Sequence, residues 1–534
     1  MFETVLRDGR AVLPLQAALL MARTNLQDPA MTFHLHDTLT GQIVPLPART
    51  PGHVGIYVCG PTVYNYIHVG NARPAVVFDT VVRHLRASGL QVKFVRNFTD
   101  IDDKIIKAAV EANEDPRVFA QRFVDAYLAD TGALRCVRPD AEPRVSDHLP
   151  EIVELVQTLI ARGHAYERDG DVYFSVRTFE RYGKLSKRDL DQLRAGERVA
   201  VDERKDDALD FALWKAAKPH EPPGARWPSS WGEGRPGWHI ECSAMARKHL
   251  GDGFDLHGGG LDLIFPHHEN EIAQSESATG VPFCHAWMHN GFININDEKM
   301  AKSRMAEMGS LAKHFVLRNV LQHVDAEGVR LWLLGTHYRA PLNFELAEAS
   351  RPDGSPSVRF PGLEEAERRV EYFYETRMRI AAKLGANAPA RGADVKLPDD
   401  IAAMKRSFAG AMDDDLNTAV ALASVADVFK RANEACDAGK RDAAMLPALH
   451  AAIAYVTSVL GVAEDDAEAF FARVRARRVA ERGIEPTEID ALVQERIDAR
   501  KAKDFARADE IRARLLGQGI EIRDSATGSS WRVA

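Results

Sequence analysis

The stretch Gly55-Ile56-Tyr57-Val58-Cys59-Gly60-Pro61 has the apolar run of a buried strand and ends in a Gly-Pro turn. After a short loop, Asn71-Ala72-Arg73-Pro74 leads into an amphipathic helix that ends near Gly89, and residues 91–96 form a second strand. Strand, turn, helix and strand at this spacing predict a βαβ unit. We therefore expect an α/β fold with a Rossmann-like parallel sheet. Ligands of such sheets bind at the carboxyl ends of the strands, where Cys59 falls.

The rest of the chain divides by local pattern around this unit. A mixture of helical, hairpin-like and Trp/Pro/Gly-rich pieces predicts an insertion between two halves of the sheet domain, and helical periodicity dominates the second half of the chain. We predict an N-terminal extension (1–30), the first half of the sheet domain (31–148), a connective insertion (149–235), the second half (236–290), a lysine-containing loop region (291–345), a helix bundle (346–472) and a small C-terminal domain (484–534).

Composition narrows the class of protein. The chain has 534 residues, a formal net charge of -8 and 27% charged residues, which argues against a protein that coats nucleic acid indiscriminately. The C-terminal residues 473–534 nevertheless carry 14 Lys/Arg against 11 Asp/Glu. A polyanion would therefore bind more favourably at this end than elsewhere.

Cysteine usage and hydropathy predict the compartment. Five widely spread cysteines, an odd number, indicate reduced thiols and a cytoplasmic protein. The longest apolar candidate that we identify, residues 11–22, is interrupted by Pro14 and Gln16 and is shorter than the ~20 residues needed to span a bilayer. We expect no association with a membrane.

The sharpest local signal is Phe265-Pro266-His267-His268-Glu269-Asn270-Glu271. If Pro266 opens a helix, His267 and Glu271 lie at i and i+4 on one face, which is half of a typical zinc site. The same spacing also fits a capped helix start. Cys59 and Cys242 are possible further ligands, but each alone also fits a small buried apolar residue. Spacing does not decide between these alternatives.

Three further segments contain residues that could bind phosphate or ribose. His68-Val69-Gly70-Asn71 places two side-chain donors at a helix entry, where backbone N–H groups can face an anion. The segment from Lys299 to Ser303 holds a second lysine, Lys302, and could meet spread phosphate charge. In His257-Gly258-Gly259-Gly260, followed by Asp262, the glycines allow close backbone approach and the aspartate could accept from a ribose hydroxyl. Each segment alone also fits an ordinary loop or solvated surface.

Together these segments resemble the class I aminoacyl-tRNA synthetases, and specifically the cysteinyl enzymes. The HIGH signature of the family matches His68 to Asn71, and its KMSKS signature matches Lys299 to Ser303. Further matching phrases occur in order along nearly the whole chain after residue 31: Tyr57 to Tyr64, Asn97 to Lys104, Gly237 to Met245, Phe265 to Glu271, His337 to Phe344, Met412 to Thr418, Lys503 to Asp509 and the final Trp531.

The resemblance implies a set of site residues and cofactors. One Zn²⁺ per subunit would be held by Cys59, Cys242, His267 and Glu271, and Thr99 and Trp238 would lie beside the substrate cysteine. ATP, with Mg²⁺, would bind at His68, Gly70, Asn71, Asp262 and Lys302. His68, Asn71, Lys299 and Lys302 would serve the chemical step, and Trp531 would stack on an anticodon base.

The resemblance also implies the reaction and the partners. L-cysteine would be activated by ATP to cysteinyl-adenylate and pyrophosphate, and then transferred to the 3′-terminal adenosine of tRNA(Cys). Residues 291–345 would form the KMSKS loop and a region that contacts the tRNA stem, the bundle would lie along the tRNA, and residues 484–534 would bind the anticodon. We expect a monomer.

Two departures from the family pattern and two rival functions remain. Asn71 stands where HIGH has its second histidine, and Ala301 replaces the first serine of KMSKS, with an apparent insertion from Arg304 to Gly309. One rival is a mycothiol-type ligase that couples cysteine to an amino sugar, and residues 346–534 argue against it. The other is a non-catalytic, synthetase-derived RNA-binding protein. Such a protein should have lost ligands or signature lysines, and all of them are present here.

Overall fold

The structure is a computed structural model that describes residues 6–7, 10–11, 33–189, 204–219, 221–296, 298–299, 309–350, 354–390, 392–438, 442–525 and 528–533. The strands are β1 Leu6–Arg7, β2 Arg10–Ala11, β3 His34–Asp37, β4 Gln42–Pro45, β5 His53–Val58, β6 Gln91–Arg96, β7 Ala165–Arg168, β8 Asp171–Phe174, β9 Phe211–Ala216, β10 Gly234–Pro236, β11 Phe254–Gly260, β12 Cys284–Asn290, β13 Ile293–Ile295, β14 Glu298–Lys299, β15 Leu342–Phe344, β16 Ala347–Ser350, β17 Pro356–Arg359, β18 Ile520–Ser525 and β19 Gly528–Val533.

The helices alternate with strands in the first half of the chain and dominate the second half. They are α1 Val69–Ala87, α2 Asp103–Glu111, α3 Pro116–Ala133, α4 Leu149–Ala161, α5 Trp238–Leu250, α6 Glu269–Thr279, α7 Leu317–Val320, α8 Ala326–Leu333, α9 Pro361–Leu384, α10 Asp399–Asp413, α11 Thr418–Asp437, α12 Leu446–Leu460, α13 Ala467–Arg482, α14 Pro486–Lys501 and α15 Phe505–Gly517.

A four-stranded parallel sheet in the order β12-β11-β5-β6 forms the centre of the N-terminal half. The predicted βαβ unit is β5, α1 and β6, and the α/β fold with a parallel sheet is confirmed. The chain moves from β5 to β6 on one side and later to β11 on the other. Strand order therefore reverses between β5 and β11, and the crevice at this switch point is where parallel sheets bind ligands.

The segment predicted as an insertion contains its own small sheet. Strands β7 to β10 pair antiparallel in the order β10-β9-β8-β7, and α4 precedes them. Their apolar side chains join the core that also contains α5 and Phe254, the first residue of β11. The sequence returns to the parallel sheet through α5, and this path places the first turn of that helix beside the carboxyl end of β5.

Helices α9 to α13 form the predicted helical region, and its core is continuous with that of the parallel sheet. A separate small core unites α14, α15 and the β18–β19 hairpin through Ile489, Val493, Ile511, Leu515, Ile520, Trp531 and Val533. The proposed segment boundaries themselves stay predictions.

One stretch among the described helices, Ala443–Leu460, is long and apolar enough by composition to cross a membrane, and half of it is buried inside the protein. This corrects the sequence analysis, which named residues 11–22 as the longest apolar candidate. The core helix of a helical bundle meets the same criterion because its buried face is apolar all along its length.

Candidate metal centre and active site

Four potential metal ligands come together at the switch point from three separate parts of the chain. Cys59 follows β5, Cys242 lies in the first half of α5, His267 lies in the turn before α6, and Glu271 lies in the first turn of α6. The four ligand atoms all lie within 4.8 Å of one another. Cys242, His267 and Glu271 are buried, and Cys59 is half-buried.

The start of α6 differs in one detail from the sequence expectation. Regular α-helix begins at Glu269, not at Pro266, because Ile264–His268 form a wider turn that contains a cis Phe265–Pro266 peptide bond and an extended Phe265. His267 Nε2 and Glu271 Oε1 are nevertheless 2.8 Å apart, so the expected pairing at i and i+4 is present.

The distances among the four atoms fit a small cation that prefers sulfur and nitrogen. Cys59 Sγ lies 3.7 Å from Cys242 Sγ and 3.4 Å from His267 Nε2. Tetrahedral zinc, with bonds of about 2.3 Å to sulfur and 2.0 Å to nitrogen, requires separations of roughly 3.8 and 3.5 Å. The His267–Glu271 pair is at hydrogen-bond distance and would open by about half an ångström around an ion.

The ionisation of three of the four groups suits a cation, whereas burial raises the pKa of the Cys59 thiol. The hydrogen bond from Cys59 lowers the pKa of Cys242 to about 6 against the effect of burial. Burial alone would raise the pKa of Glu271, but His257 and His267 lower it to about 2. Burial opposes charging of His267, yet Glu271 and Cys242 raise its pKa to about 10. Two anionic groups, the Cys242 thiolate and the Glu271 carboxylate, therefore flank the protonated imidazole of His267. A metal ion would take the place of that proton.

A second group of four donors overlaps the first and was missed by the sequence analysis. Cys59, His257, His268 and Glu271 also have ligand atoms within 4.8 Å of one another. His257 Nε2 lies 2.8 Å from Glu271 Oε2, the oxygen that faces away from His267. A hydrogen bond of this kind between a histidine and a ligating carboxylate fixes the orientation of the carboxylate. His257 and His268 lie in two of the sequence motifs described above. Their spacing in the sequence does not predict that their rings approach Cys59.

The residues expected beside the substrate cysteine lie next to this cluster. The indole of Trp238 stacks on the imidazole of His267, with ring centroids 4.2 Å apart, and is 37% exposed. Thr99 follows β6, is buried, and its hydroxyl donates to Glu241 Oε2 at 3.1 Å. The structure therefore places Thr99 and Trp238 next to the four sulfur, nitrogen and oxygen donors.

Three of the five residues expected to bind ATP, His68, Gly70 and Asn71, lie at the amino end of α1. His68 caps this 19-residue helix, and its backbone N–H donates to Asn71 Oδ1 at 3.2 Å. Gly70 lies in the first turn, where free backbone N–H groups can face phosphate. Burial lowers the pKa of His68, and Asp262, whose charge acts on it in the opposite direction, lies close by in the turn after β11.

The glycine run of β11 is explained by close packing. A Cβ atom on Gly258 would lie 2.2 Å from Phe78, and one on Gly259 would lie 2.9 Å from the His268 ring. Only glycine permits these approaches, and they allow α1 to pack against β11 near the candidate nucleotide site.

The predicted lysines are described only in part. The backbone of Lys299 lies in β14, which pairs antiparallel with β13. Lys302, Ala301 and most of the apparent insertion from Arg304 to Gly309 lie outside the described residues.

In the C-terminal unit the structure differs from the sequence expectation. Trp531 is only 6% exposed, its Nε1 donates to Asp490 Oδ1 at 2.6 Å, and Arg475 lies over its ring. No free face of this indole is available for a base, so stacking on Trp531 stays a prediction that would require rearrangement. Phe505, at the start of α15, is 61% exposed and was overlooked in the matching phrase that contains it.

Three regions of the chain match known families. Residues 46–351 match the class I (C) tRNA synthetase catalytic domain, residues 407–464 the DALR domain, and residues 485–532 the cysteinyl-tRNA ligase anticodon binding domain. The fold is similar to that of Agrobacterium radiobacter K84 agnB2 LeuRS in a ternary complex with tRNA and LeuAMS, with a TM-score of 0.54, 11% identity, and coverage of 80% of this chain and 86% of that one. The parallel sheet, its switch-point crevice and the catalytic-domain match define a class I aminoacyl-tRNA synthetase.

Two relatives narrow the class to one family. The cysteine–tRNA ligase of Anaeromyxobacter dehalogenans (strain 2CP-C) is 50% identical over 513 residues, and that of Geobacter sulfurreducens is 45% identical over 504 residues. Each alignment covers 94% of this chain and 100% of the relative. The chain belongs to the cysteine–tRNA ligase family.

Proposed function

We propose that this enzyme activates L-cysteine with ATP and transfers it to the 3′-terminal adenosine of tRNA(Cys), and that Zn²⁺ held by Cys59, Cys242, His267 and Glu271 selects the substrate. The observation that carries the proposal is the convergence of these four donors, from three distant parts of the chain, beside Thr99 and Trp238. Membership of the cysteine–tRNA ligase family indicates the reaction, and the donor cluster explains why cysteine is the amino acid that is selected.

A zinc ion bound there would favour a thiolate over the harder oxygen of serine and would lower the pKa of the incoming thiol. A pocket that measured only size would separate the two amino acids by about 1–3 kcal/mol. The chain's own part is to hold the four donors in a buried site, with Trp238 at its exposed edge. A buried donor set keeps competing water away, because little of it is reached by solvent.

The nucleotide would lie across the switch point. The N–H groups at the start of α1, with His68, Gly70 and Asn71, would bind the phosphate chain, and Asp262 would accept from the ribose. Mg²⁺ would enter with ATP. Lys302, with Lys299, would stabilise the charge that develops on the departing pyrophosphate.

Replacing Lys302 with alanine should slow cysteine-dependent pyrophosphate exchange about 100-fold, in the range found when one group that stabilises a developing charge is removed. Zinc content should stay at one per chain, because residue 302 is not a member of the cluster. Exchange kinetics and metal analysis on the same preparation check both expectations. Unchanged exchange would remove Lys302 from the catalytic machinery.

For tRNA, the exposed ring of Phe505 is a better stacking surface than the buried ring of Trp531. It begins α15 in the unit that matches the anticodon binding domain, and unstacked anticodon bases are recognised by stacking on aromatic rings. The basic C-terminal residues supply attraction to the phosphate backbone.

Phe505→Ala should lower kcat/KM for charging tRNA about tenfold or more, since base–aromatic stacking contributes roughly 1–3 kcal/mol. Pyrophosphate exchange without tRNA should be unchanged, because the pocket for amino acid and ATP lies in a different domain. Val420→Ala, on the exposed surface of the helix bundle, is a matched control. Equal loss in both assays would indicate unfolding, and no loss in charging would exclude Phe505.

Metal content measured beside cysteine-dependent exchange tests the whole proposal. Enzyme loaded with zinc should exchange pyrophosphate with cysteine and not with serine, and should charge tRNA that carries the GCA anticodon. Exchange without charging would favour the amino-sugar ligase, and absence of exchange would favour a non-catalytic RNA-binding protein. We further propose that the protein is cytoplasmic, in keeping with its five free cysteines. We also propose that it is a monomer, and size-exclusion chromatography with light scattering would test this by measuring its mass.

A further inference from the structure

Arg73 is a fully buried arginine of α1 to which the proposed function assigns no role. Its guanidinium group donates three hydrogen bonds, and all of them end on backbone carbonyls. Nη1 donates to the Phe292 carbonyl at 2.7 Å, and Nη2 donates to the carbonyls of Ala340 at 2.7 Å and His337 at 3.3 Å. The nearest of these acceptors along the sequence is 219 positions away. One side chain therefore joins the helix to two distant segments of the chain.

The surroundings of Arg73 provide no anion for this buried cation. Among the residues that the structure describes, no Asp or Glu forms an ion pair with it, and burial lowers its pKa to about 10. An unpaired buried charge is costly, and an apolar side chain of similar volume would avoid that cost. The guanidinium group contributes geometry instead, because its planar fork donates in fixed directions to acceptors on two segments at once.

The two segments lead into the strands that carry a signature lysine. They touch each other, since the Gly291 N–H donates to the Tyr338 carbonyl at 2.7 Å and a Cβ atom on Gly291 would lie 2.6 Å from the Ala340 oxygen. The first segment continues into β13 and the second into β15, which pairs parallel with β13. On its other side β13 pairs with β14, where the backbone of Lys299 lies. Arg73 is thus attached where this three-stranded sheet begins.

Arg73 is also close to the candidate phosphate site. It follows His68, the cap of α1, by five residues, which corresponds to about 7.5 Å along a helix that rises 1.5 Å per residue. The chain returns to the same place after the lysine-containing loop, where the Leu317 N–H donates to the Ile67 carbonyl at 2.9 Å. The segment that contains the KMSKS match is therefore attached near the start of α1 at both of its ends, and Arg73 makes one of the two attachments.

We propose that Arg73 is a positioning residue for the activation step: it holds the sheet that carries the KMSKS match in register with α1, so that Lys302 meets the phosphates bound at the start of that helix. The inference rests on the proposed function, because it takes Lys302 as the group that stabilises the departing pyrophosphate. Arg73 is buried and its guanidinium donates only to backbone carbonyls, so it acts through the strands and not on the nucleotide.

Arg73→Lys tests the junction because it keeps the positive charge but replaces the planar fork with a single ammonium group. We expect kcat for cysteine-dependent pyrophosphate exchange to fall about 10–100-fold, the scale of a misplacement of up to about 1 Å. The KM for cysteine and the zinc content should change less than about twofold, because the four metal donors belong to other elements.

Gly291→Ala tests the same junction from its other side and leaves Arg73 intact. The added methyl group would push the two segments apart, so kcat should again fall while zinc is retained. Metal analysis and exchange kinetics on the same preparations measure both effects. Loss of zinc from both variants would indicate a general loss of structure and would overturn the inference.

A double-mutant cycle separates the positioning of Lys302 from a general structural role. In a Lys302→Ala enzyme the lysine that Arg73 positions is already absent, so adding Arg73→Lys should lower kcat less than about threefold further. A residue with a merely structural role would lower kcat by the same factor in both backgrounds.

Arg83→Lys is the matched control. Arg83 also lies in α1 and donates to backbone carbonyls, those of Ser458 at 2.9 Å and Arg135 at 2.6 Å, and none of its described partners lies in either segment. The kcat of this variant should stay within about twofold of the wild-type value. An equal loss in this control, equal factors in the two Lys302 backgrounds, or an unchanged kcat in Arg73→Lys would each overturn the inference. Normal exchange by Lys302→Ala alone would instead overturn the proposed role of Lys302, and the inference with it.

Discussion

Replacing Cys242 with serine should remove tightly bound zinc and cysteine activation together. The Cys242 and Cys59 sulfurs are 3.7 Å apart, and the Cys242 thiol has a pKa lowered to about 6, so it is the donor most ready to bind metal as thiolate. Loss of a residue that only hydrogen-bonds to a metal ligand already lowers metal affinity or activity about 10–100-fold. Loss of a thiolate ligand should reduce exchange beyond that range.

Metal analysis after dialysis against a chelator, beside exchange with cysteine and with serine, measures the effect. Cys436→Ser is the control, because Cys436 is a buried thiol in α11 and belongs to neither group of donors. The control should keep its zinc and its activity. A Cys242→Ser enzyme that preferred cysteine to serine normally without metal would contradict zinc-based selection.

The second group of donors sharpens this experiment. In Cys242→Ser, the atoms of Cys59, His257, His268 and Glu271 remain and could retain an ion at a shifted position. Cobalt substitution distinguishes the two arrangements, since thiolate-to-cobalt absorption scales with the number of sulfur ligands. An ion held by one thiolate and unable to support exchange would show that Cys242 is required for productive placement of the metal.

Local patterns in the sequence predicted the framework of the site well. The run that ends at Cys59 and the helix that starts beside His68 follow from hydrophobic periodicity and turn residues, which are local properties. Half of the cluster, His267 with Glu271, follows from helical spacing, even though the regular helix begins later than expected. The other half depended on family resemblance, because Cys59 and Cys242 are separated by 183 positions and no local pattern links them.

The remaining differences all involve contacts between distant parts of the chain. His257 reaches Glu271 only because β11 lies beside β5 and α6, which strand order alone decides. Trp531 was expected to stack on an anticodon base, yet a small domain has few large apolar residues, and the indole is part of its core. The hydrogen bond from Thr99 to Glu241 could not be predicted from the sequence, because it depends on how α5 packs beside the end of β6.

Replacing Arg330 with methionine should lower the free energy of unfolding by about 3–5 kcal/mol, the usual cost of removing one partner from a buried ion pair. Arg330, on α8, is fully buried and pairs with Asp79 of α1. It also donates to the carbonyls of Leu460 at 2.6 Å and Leu134 at 3.1 Å. One guanidinium therefore joins the sheet domain to the end of a bundle helix, and methionine would leave these acceptors unsatisfied.

Urea unfolding of zinc-loaded enzyme, followed by far-UV circular dichroism, measures the loss. Arg359→Met is the matched control, because Arg359 forms an exposed ion pair with Glu364 that should contribute no more than about 1 kcal/mol. A larger loss from the control than from Arg330→Met would contradict the role of the buried junction. Because the bundle is expected to carry the tRNA, loosening this junction should also raise the KM for tRNA more than the KM for cysteine, which depends on the intact pocket of the sheet domain.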